Sequence, residues 1–232
     1  MAVITINGQI GGGAREIGQL VANRLGYDYV DVRILNEAAK RLGATVESLT
    51  LKERHLPTRG ERFGRFLTSV LERSAVASTG SDIYFGPALG GLLAQDYPQA
   101  AAEPVTREDQ REDQRYIEAI KAVILGLAEG GNVVVISRAS NIILKGRSGA
   151  LHVGLVSTFE SRAALMAKRE NVSLKEGESI AREHERARAA FFRRYFQAAV
   201  DNPNDYHLML NTHWVDHSNA AGIIVEASAH VC

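Results

Sequence analysis

The chain opens with Ala2-Val-Ile-Thr-Ile-Asn7, passes into Gly8-Gln-Ile-Gly-Gly-Gly-Ala-Arg15, and continues at once into helix-forming Glu16 to Leu25. An apolar β-branched run followed by a glycine-dense turn and a helix is the start of a βαβ unit, which commits a chain to a largely parallel sheet. The same geometry presents backbone N–H groups and the positive end of a helix to an anion. Counted from Gly8, the spacing is that of the phosphate loop G-x-x-x-x-G-K-[ST], with Gly13 as the second glycine. The next two positions depart from it. Ala14 stands where the lysine belongs, and Arg15 stands where the magnesium-binding hydroxyl belongs. The backbone half of a phosphate cradle is therefore expected from Gly8, Gly11, Gly12, Gly13, Ala14 and Arg15, with its side-chain half changed. Two further readings stay open. One is a tight strand-to-helix turn that holds no ligand. The other is a dinucleotide fingerprint beginning at Gly11-x-Gly13, whose third glycine would fall on Glu16.

Composition narrows the rest. The 232 residues suffice for one substantial core, here expected as a single domain over 1–232. Lys+Arg and Asp+Glu are both 27, so no net charge draws the chain to nucleic acid or to a membrane surface. Cys232 is the only cysteine, which leaves no internal disulfide and no cysteine metal cluster. No apolar run approaches membrane-spanning length, and the first residues lead directly into a strand, so a cytoplasmic protein is expected. The seven histidines are scattered and form no metal-ligand set. His213 and His217, four apart, read as surface residues.

In chain order, Tyr27 to Asp31 reads as a short second strand after Gly26. Asp31 at its end is suited either to a ligand or to capping a helix over 33–42. Residues 49–73 are basic, with an apolar stripe. Residues 74–105, rich in Gly, Ala, Ser and Pro, read as an insertion or mobile loop that can also serve as an interface between copies. Thr106 opens a helix to about Glu129, exposed in its first half and apolar from Ile117 to Leu127. Asn132 to Ile136 has the consecutive apolar residues of a strand covered on both faces, and Ser137-Arg138 follows. Leu151 to Val156 is another strand, and Ser157-Thr158 caps a helix from Phe159 to Glu170. A long helix from Leu174 to Val200 carries Arg182, Arg186 and Arg193 on one face, with Arg188 and Arg194 nearby. That face suits either a lid that clamps phosphoryl groups or a solvated surface paired with glutamates. A last strand over 206–211 and a helix over 219–229, capped by Ser218, complete the chain.

Five pieces sit in order: Ile4-Thr-Ile…Gln9-Ile-Gly-Gly-Gly-Ala-Arg-Glu-Ile17, Leu25-Gly-Tyr-Asp-Tyr-Val-Asp31, Val133-Val-Val-Ile-Ser-Arg138, the arginine-rich 182–194 helix, and Tyr206-His-Leu-Met-Leu-Asn-Thr212. Together they resemble the cytidylate kinase-like family of P-loop nucleoside monophosphate kinases, most thinly over 49–105. The resemblance implies a P-loop NTPase-like three-layer α/β/α fold with a five-stranded parallel sheet and an arginine-rich helical lid at about 171–200. It implies ATP on Gly8–Arg15, with magnesium held by water, phosphates or an unassigned residue. It implies a nucleoside monophosphate, CMP or dCMP first, near Asp31, Arg138 and Arg162, and positive charge for transfer from Arg15, Arg138, Arg182, Arg186 and Arg188. A regulatory protein that binds a nucleotide without consuming it is the rival reading. A dinucleotide-dependent oxidoreductase ranks third.

Overall fold

The computed structural model describes residues 2–31, 107–136 and 139–231. The expected helix over 33–42, the basic stretch 49–73, the insertion 74–105, Thr106, Arg138 and Cys232 lie outside the described residues. Elements are numbered among the described residues: β1 Val3–Gly8, α1 Ala14–Leu25, β2 Asp28–Val30, α2 Arg107–Gly130, β3 Val133–Ile136, α3 Ser140–Ile143, β4 Ala150–Val156, α4 Phe159–Glu170, α5 Leu174–Phe196, β5 Leu208–Asn211 and α6 His217–Ser228.

The strands form one five-stranded sheet in the order β2-β3-β1-β4-β5. Every pairing is parallel. β1 is central, with Val3 opposite both Val133 and Ala150. From β1 the chain runs through α1 to β2 on the far side of β3, and from β3 it crosses β1 to β4, so the connections diverge at β1 and its carboxyl end is where an open parallel sheet binds ligands. β3, not β2, lies beside β1, which differs from the strand order of the dinucleotide fold.

Alternation along β1 builds the layers. Ile4 and Ile6 face α1 and α6, packing with Ile17, Val21, Ala220, Ala221 and Ile224. Val3 faces the other way, into a cluster with Ile120, Val123, Ile124 and Leu127 of α2. The apolar second half of α2 thus covers the sheet as its periodicity requires. α4 and α5 form a helical hairpin beside these layers. Their close approach needs Gly177, where an added Cβ would sit 2.5 Å from the Ala163 carbonyl.

Boundaries shift where capping overrules composition. α6 begins at His217 rather than Asn219, because Asp216, not Ser218, accepts from the Asn219 N–H at 2.9 Å. α5 ends at Phe196 instead of Val200, since Gln197 turns left-handed at φ 52°. The short α3 follows a strand without enough periodicity to announce it.

Polar groups on the central strands must find partners inside. Thr5 is fully buried and its Oγ1 lies 2.9 Å from His152 Nδ1. His152 Nε2 lies 3.3 Å from the Leu144 carbonyl, which can only accept. The network therefore puts the proton on Nε2 and lets the Thr5 hydroxyl donate to Nδ1. The exposed His207 ring stacks on His152 at 4.9 Å between centroids. Burial, reinforced by His207, pushes the His152 pKa from an ordinary 6.5 down to about 4. A base depressed on folding contributes stability fully above its unfolded value and loses it as pH falls toward the folded one. Measured against His152→Gln in urea melts, wild-type stability is expected to be flat above pH 6.5 and to decline between 6.5 and about 4.

Candidate functional site

The loop leaving β1 is tied down at its base. Gln9 N–H donates to the Leu155 carbonyl at 3.2 Å, and Gly12 N–H turns back to the Gln9 carbonyl at 2.9 Å. Gly11 adopts φ 79°, and an added Cβ would stand 2.8 Å from the Arg162 carbonyl. Gly13 adopts φ 80° as the N-cap of α1 and makes no side-chain cap bond. A Cβ there would stand 2.4 Å from His217 Nε2. Two independent demands, left-handed backbone and no free volume, thus explain glycine at both positions. The first-turn N–H groups of α1 are left without a side-chain cap, at the positive end of the helix.

Above this loop lies a cavity of about 110 Å³, walled by Gly8 to Glu16, Ile136 and, from the helical hairpin, Arg169, His184, Arg188 and Phe192. Arg15 borders it, and its Nη2 is buried without a hydrogen-bond partner. Glu16, next along α1, receives an ion pair from Arg169 at the end of α4, while its Oε2 is buried without a partner. Tyr29 of β2 lies close to the same charges. Burial raises its pKa well above the usual phenol range, Asp31 and Glu16 add to that, and Arg15 and Arg169 oppose it.

The helical hairpin is joined to the loop through a buried ion network. Arg162 of α4 bonds Glu185 of α5 at 3.0 Å. Glu185 also lies 3.5 Å from Arg188, which grips Asp201 with both Nη atoms at 2.9 and 2.6 Å. The same Asp201 carboxylate accepts from Gln9 of the loop at 3.3 Å. Gln9 Oε1 in turn receives the Ser157 N–H at 3.2 Å.

The predicted residues divide accordingly. The structure brings Gly8, Gly11, Gly12, Gly13, Ala14, Arg15 and Arg188 to one cavity. Arg162 is buried beneath it, its backbone against Gly11. Arg182 points outward, 59% exposed, over the Phe159 ring at 4.4 Å and 3.7 Å from Glu178. Arg186 and Arg193 are also exposed. Asp31 is half-buried past β2, two strands from the loop. His213 is exposed as expected, but His217 is half-buried against Gly13.

Sequence reasoning missed Arg169, Asp201, Thr212 and His217. Arg169 falls in the expected helix over 159–170 and Asp201 just past the expected end of the long helix at Val200, and no local spacing marks either. Thr212 closes the last quoted stretch, and its hydroxyl donates to the Gly12 carbonyl at 3.1 Å. Beyond it, Trp214 is 79% exposed, its ring nearly perpendicular to that of His213 with 4.6 Å between centroids.

An anionic phosphate chain fits this donor set: an orphaned buried Arg15 Nη2, Arg169, and a glycine cradle open to backbone approach. A metal held directly by the protein does not fit. Arg15 replaces the hydroxyl ligand, and Glu16, the sole carboxylate among the described lining residues, is engaged by Arg169. No group of three His, Cys, Asp or Glu that could hold a metal ion occurs among the described residues. No helix among them is long and apolar enough to cross a membrane.

The model of the cytidylate kinase-like family matches residues 3–213. Among solved structures, an uncharacterized protein from Eubacterium ventriosum is 12% identical with 99% of each chain covered and a TM-score of 0.64, a likeness of fold alone. TT1252 from Thermus thermophilus is 14% identical over 100% of this chain and 98% of that one, with a TM-score of 0.48. A shikimate kinase from Acinetobacter baumannii, solved with shikimate, is 14% identical over 98% of this chain and 92% of its own, with a TM-score of 0.45. No curated protein matches the chain.

The Arg188–Asp201 pair is 5% and 15% exposed, and removing one partner strands the other charge in the interior. Asp201→Ala is expected to lower unfolding free energy by about 3 kcal/mol in urea titrations. Asp201→Asn, which keeps an acceptor and tolerates the left-handed backbone, is expected to cost less.

Proposed function

Since the chain belongs to the cytidylate kinase-like family, we propose that it is an ATP-dependent phosphotransferase acting on a nucleoside monophosphate, with CMP or dCMP the first choice. The observation that carries this reading is the Arg15 guanidinium, bordering the glycine loop with Nη2 buried and unpartnered. A buried donor of that kind is costly unless a ligand completes it. Phosphoryl transfer asks the protein for positioning and positive charge rather than for a nucleophilic side chain.

In this reading the β- and γ-phosphates of ATP lie on the backbone of Gly8, Gly11, Gly12, Gly13 and Ala14, and Arg15 stands in for the absent lysine. Arg169, oriented by Glu16, adds a second cation. Arg188, anchored by Asp201, borders the same cavity. A phosphate oxygen of the acceptor, received near Asp31, Arg138 and Arg162, attacks the γ-phosphorus. The bond from that phosphorus to the β,γ-bridging oxygen breaks, ADP departs, and the acceptor becomes a diphosphate. Arg182 and Arg186 are then reserved for closing the hairpin over the phosphates. Magnesium would enter on the nucleotide, coordinated by phosphates and water, and no step is assigned to it.

A second reading is favoured by the same substitutions that make the loop unusual. With Ala14 for lysine and Arg15 for the hydroxyl, a nucleotide can be bound as a signal and not consumed.

Coupled detection of ADP from ATP and magnesium across a panel of nucleoside monophosphates separates the two. Acceptor-dependent turnover, strongest with CMP or dCMP, is expected, and Arg15→Ala should cut kcat/KM by about 10²–10³ while leaving the melting temperature unchanged. Full activity in Arg15→Ala would remove its role, and ATP binding without turnover on any acceptor would favour the sensor.

A further inference from the structure

α1 begins without the side chain that usually fixes a helix start, because Gly13 at its N-cap has none. The volume such a side chain would take is filled from elsewhere. His217, the first residue of α6, places Nε2 2.4 Å, and Cδ2 and Cε1 3.0 Å, from where a Gly13 Cβ would be. The imidazole edge therefore rests directly on the backbone of the cap. At Gly12, one residue before the cap, the Thr212 hydroxyl donates to the carbonyl at 3.1 Å and lies 3.3 Å from the Val156 carbonyl. The peptide group before Gly13 and the side-chain position of Gly13 itself are thus both met by residues 212–217.

That segment is itself fixed. Asp216 caps α6, and Arg24 of α1 donates to the Ser218 carbonyl at 3.0 Å and to its hydroxyl at 2.8 Å. α1 and α6 share a core of Ile17, Val21, Ala220, Ala221 and Ile224. His213 reaches the start of α4, with Nδ1 2.7 Å from Ser161 Oγ. A ring mounted on a frame this well anchored transmits position, which is what a flexible glycine run lacks.

We propose that His217 is a positioning residue of the phosphate loop, holding the Gly13 backbone so that the uncapped first-turn N–H groups of α1 face the cavity. It rests on the phosphate-binding reading above and adds to it a residue from the far end of the chain. His217 touches no reacting atom; it acts through Gly13. The imidazole packs against the cap without capping it, so the first-turn N–H groups of α1 are left without a side-chain partner.

The test uses the full chain with His217→Ala and His217→Gln. In the ligand-free protein, amide hydrogen exchange at Gly12 and Ile17, whose N–H groups bond the Gln9 and Gly13 carbonyls, is expected to accelerate about tenfold in His217→Ala, with β4 amides and the melting temperature little changed. Affinity for inorganic tripolyphosphate, measured by calorimetry, should fall about tenfold. In turnover, KM for ATP should rise more than kcat falls. His217→Gln, which keeps a planar polar edge at that place, should recover most of each loss. Unchanged exchange at Gly12 and Ile17, or acceleration spread equally over all elements, would overturn the proposal. Accelerated exchange in a chain that binds no tripolyphosphate even as wild type would uphold the brace and remove the phosphotransfer reading.

Discussion

The site depends on β1 being held along both edges. β3 bonds it on one side and β4 on the other, and the ladder with β4 runs to Gly8 opposite Leu155. The glycine run that follows has no side chains with which to hold itself, yet it starts from a strand that cannot shift without unzipping the middle of the sheet. Gln9 extends that anchoring by one residue on the backbone and, through its amide, to Ser157 and Asp201. A flexible loop on an immobile base has few ways to move, and the conformations left to it are set by what leans on it.

What leans on it are charges from distant parts of the chain. The Arg162–Glu185–Arg188–Asp201 network lies largely out of water, so the desolvation of each charge is offset only by its neighbours in the network. Its arrangement explains why the arginines of α5 are not equivalent. Arg188 is turned inward because Asp201 receives it, whereas Arg182 finds only an aromatic face and a neighbouring glutamate at the surface. A helix spanning 23 residues thus separates its cations into a structural set and a solvent-facing set.

The parallel sheet, the glycine loop and the hairpin helices were legible because each is written in consecutive residues: Val133 to Ile136 apolar at every position, Gly8 to Gly13 at fixed spacing, Ser157-Thr158 as a cap before Phe159. The cavity's second cation was not. Arg169 and Glu16 are 153 positions apart, and Asp201 and Gln9 are 192 apart, so no local spacing relates them. His217 was hidden for the complementary reason. Its partner is a glycine, and a contact with an absent side chain leaves no pattern to read. Helix ends shifted at Asp216 and Gln197, where one hydrogen bond or one left-handed residue outweighs the composition around it.

Trp214 is the sole tryptophan in the chain, and it stands almost fully in water between Thr212 and His217. All indole emission from this protein therefore originates within two or three residues of the contacts that brace Gly12 and Gly13. A solvated indole emits at long wavelength, and the edge of His213 beside it gives the excited state a neighbour able to quench it. The molecule thus carries an intrinsic optical label two residues from the Thr212 contact and three from His217.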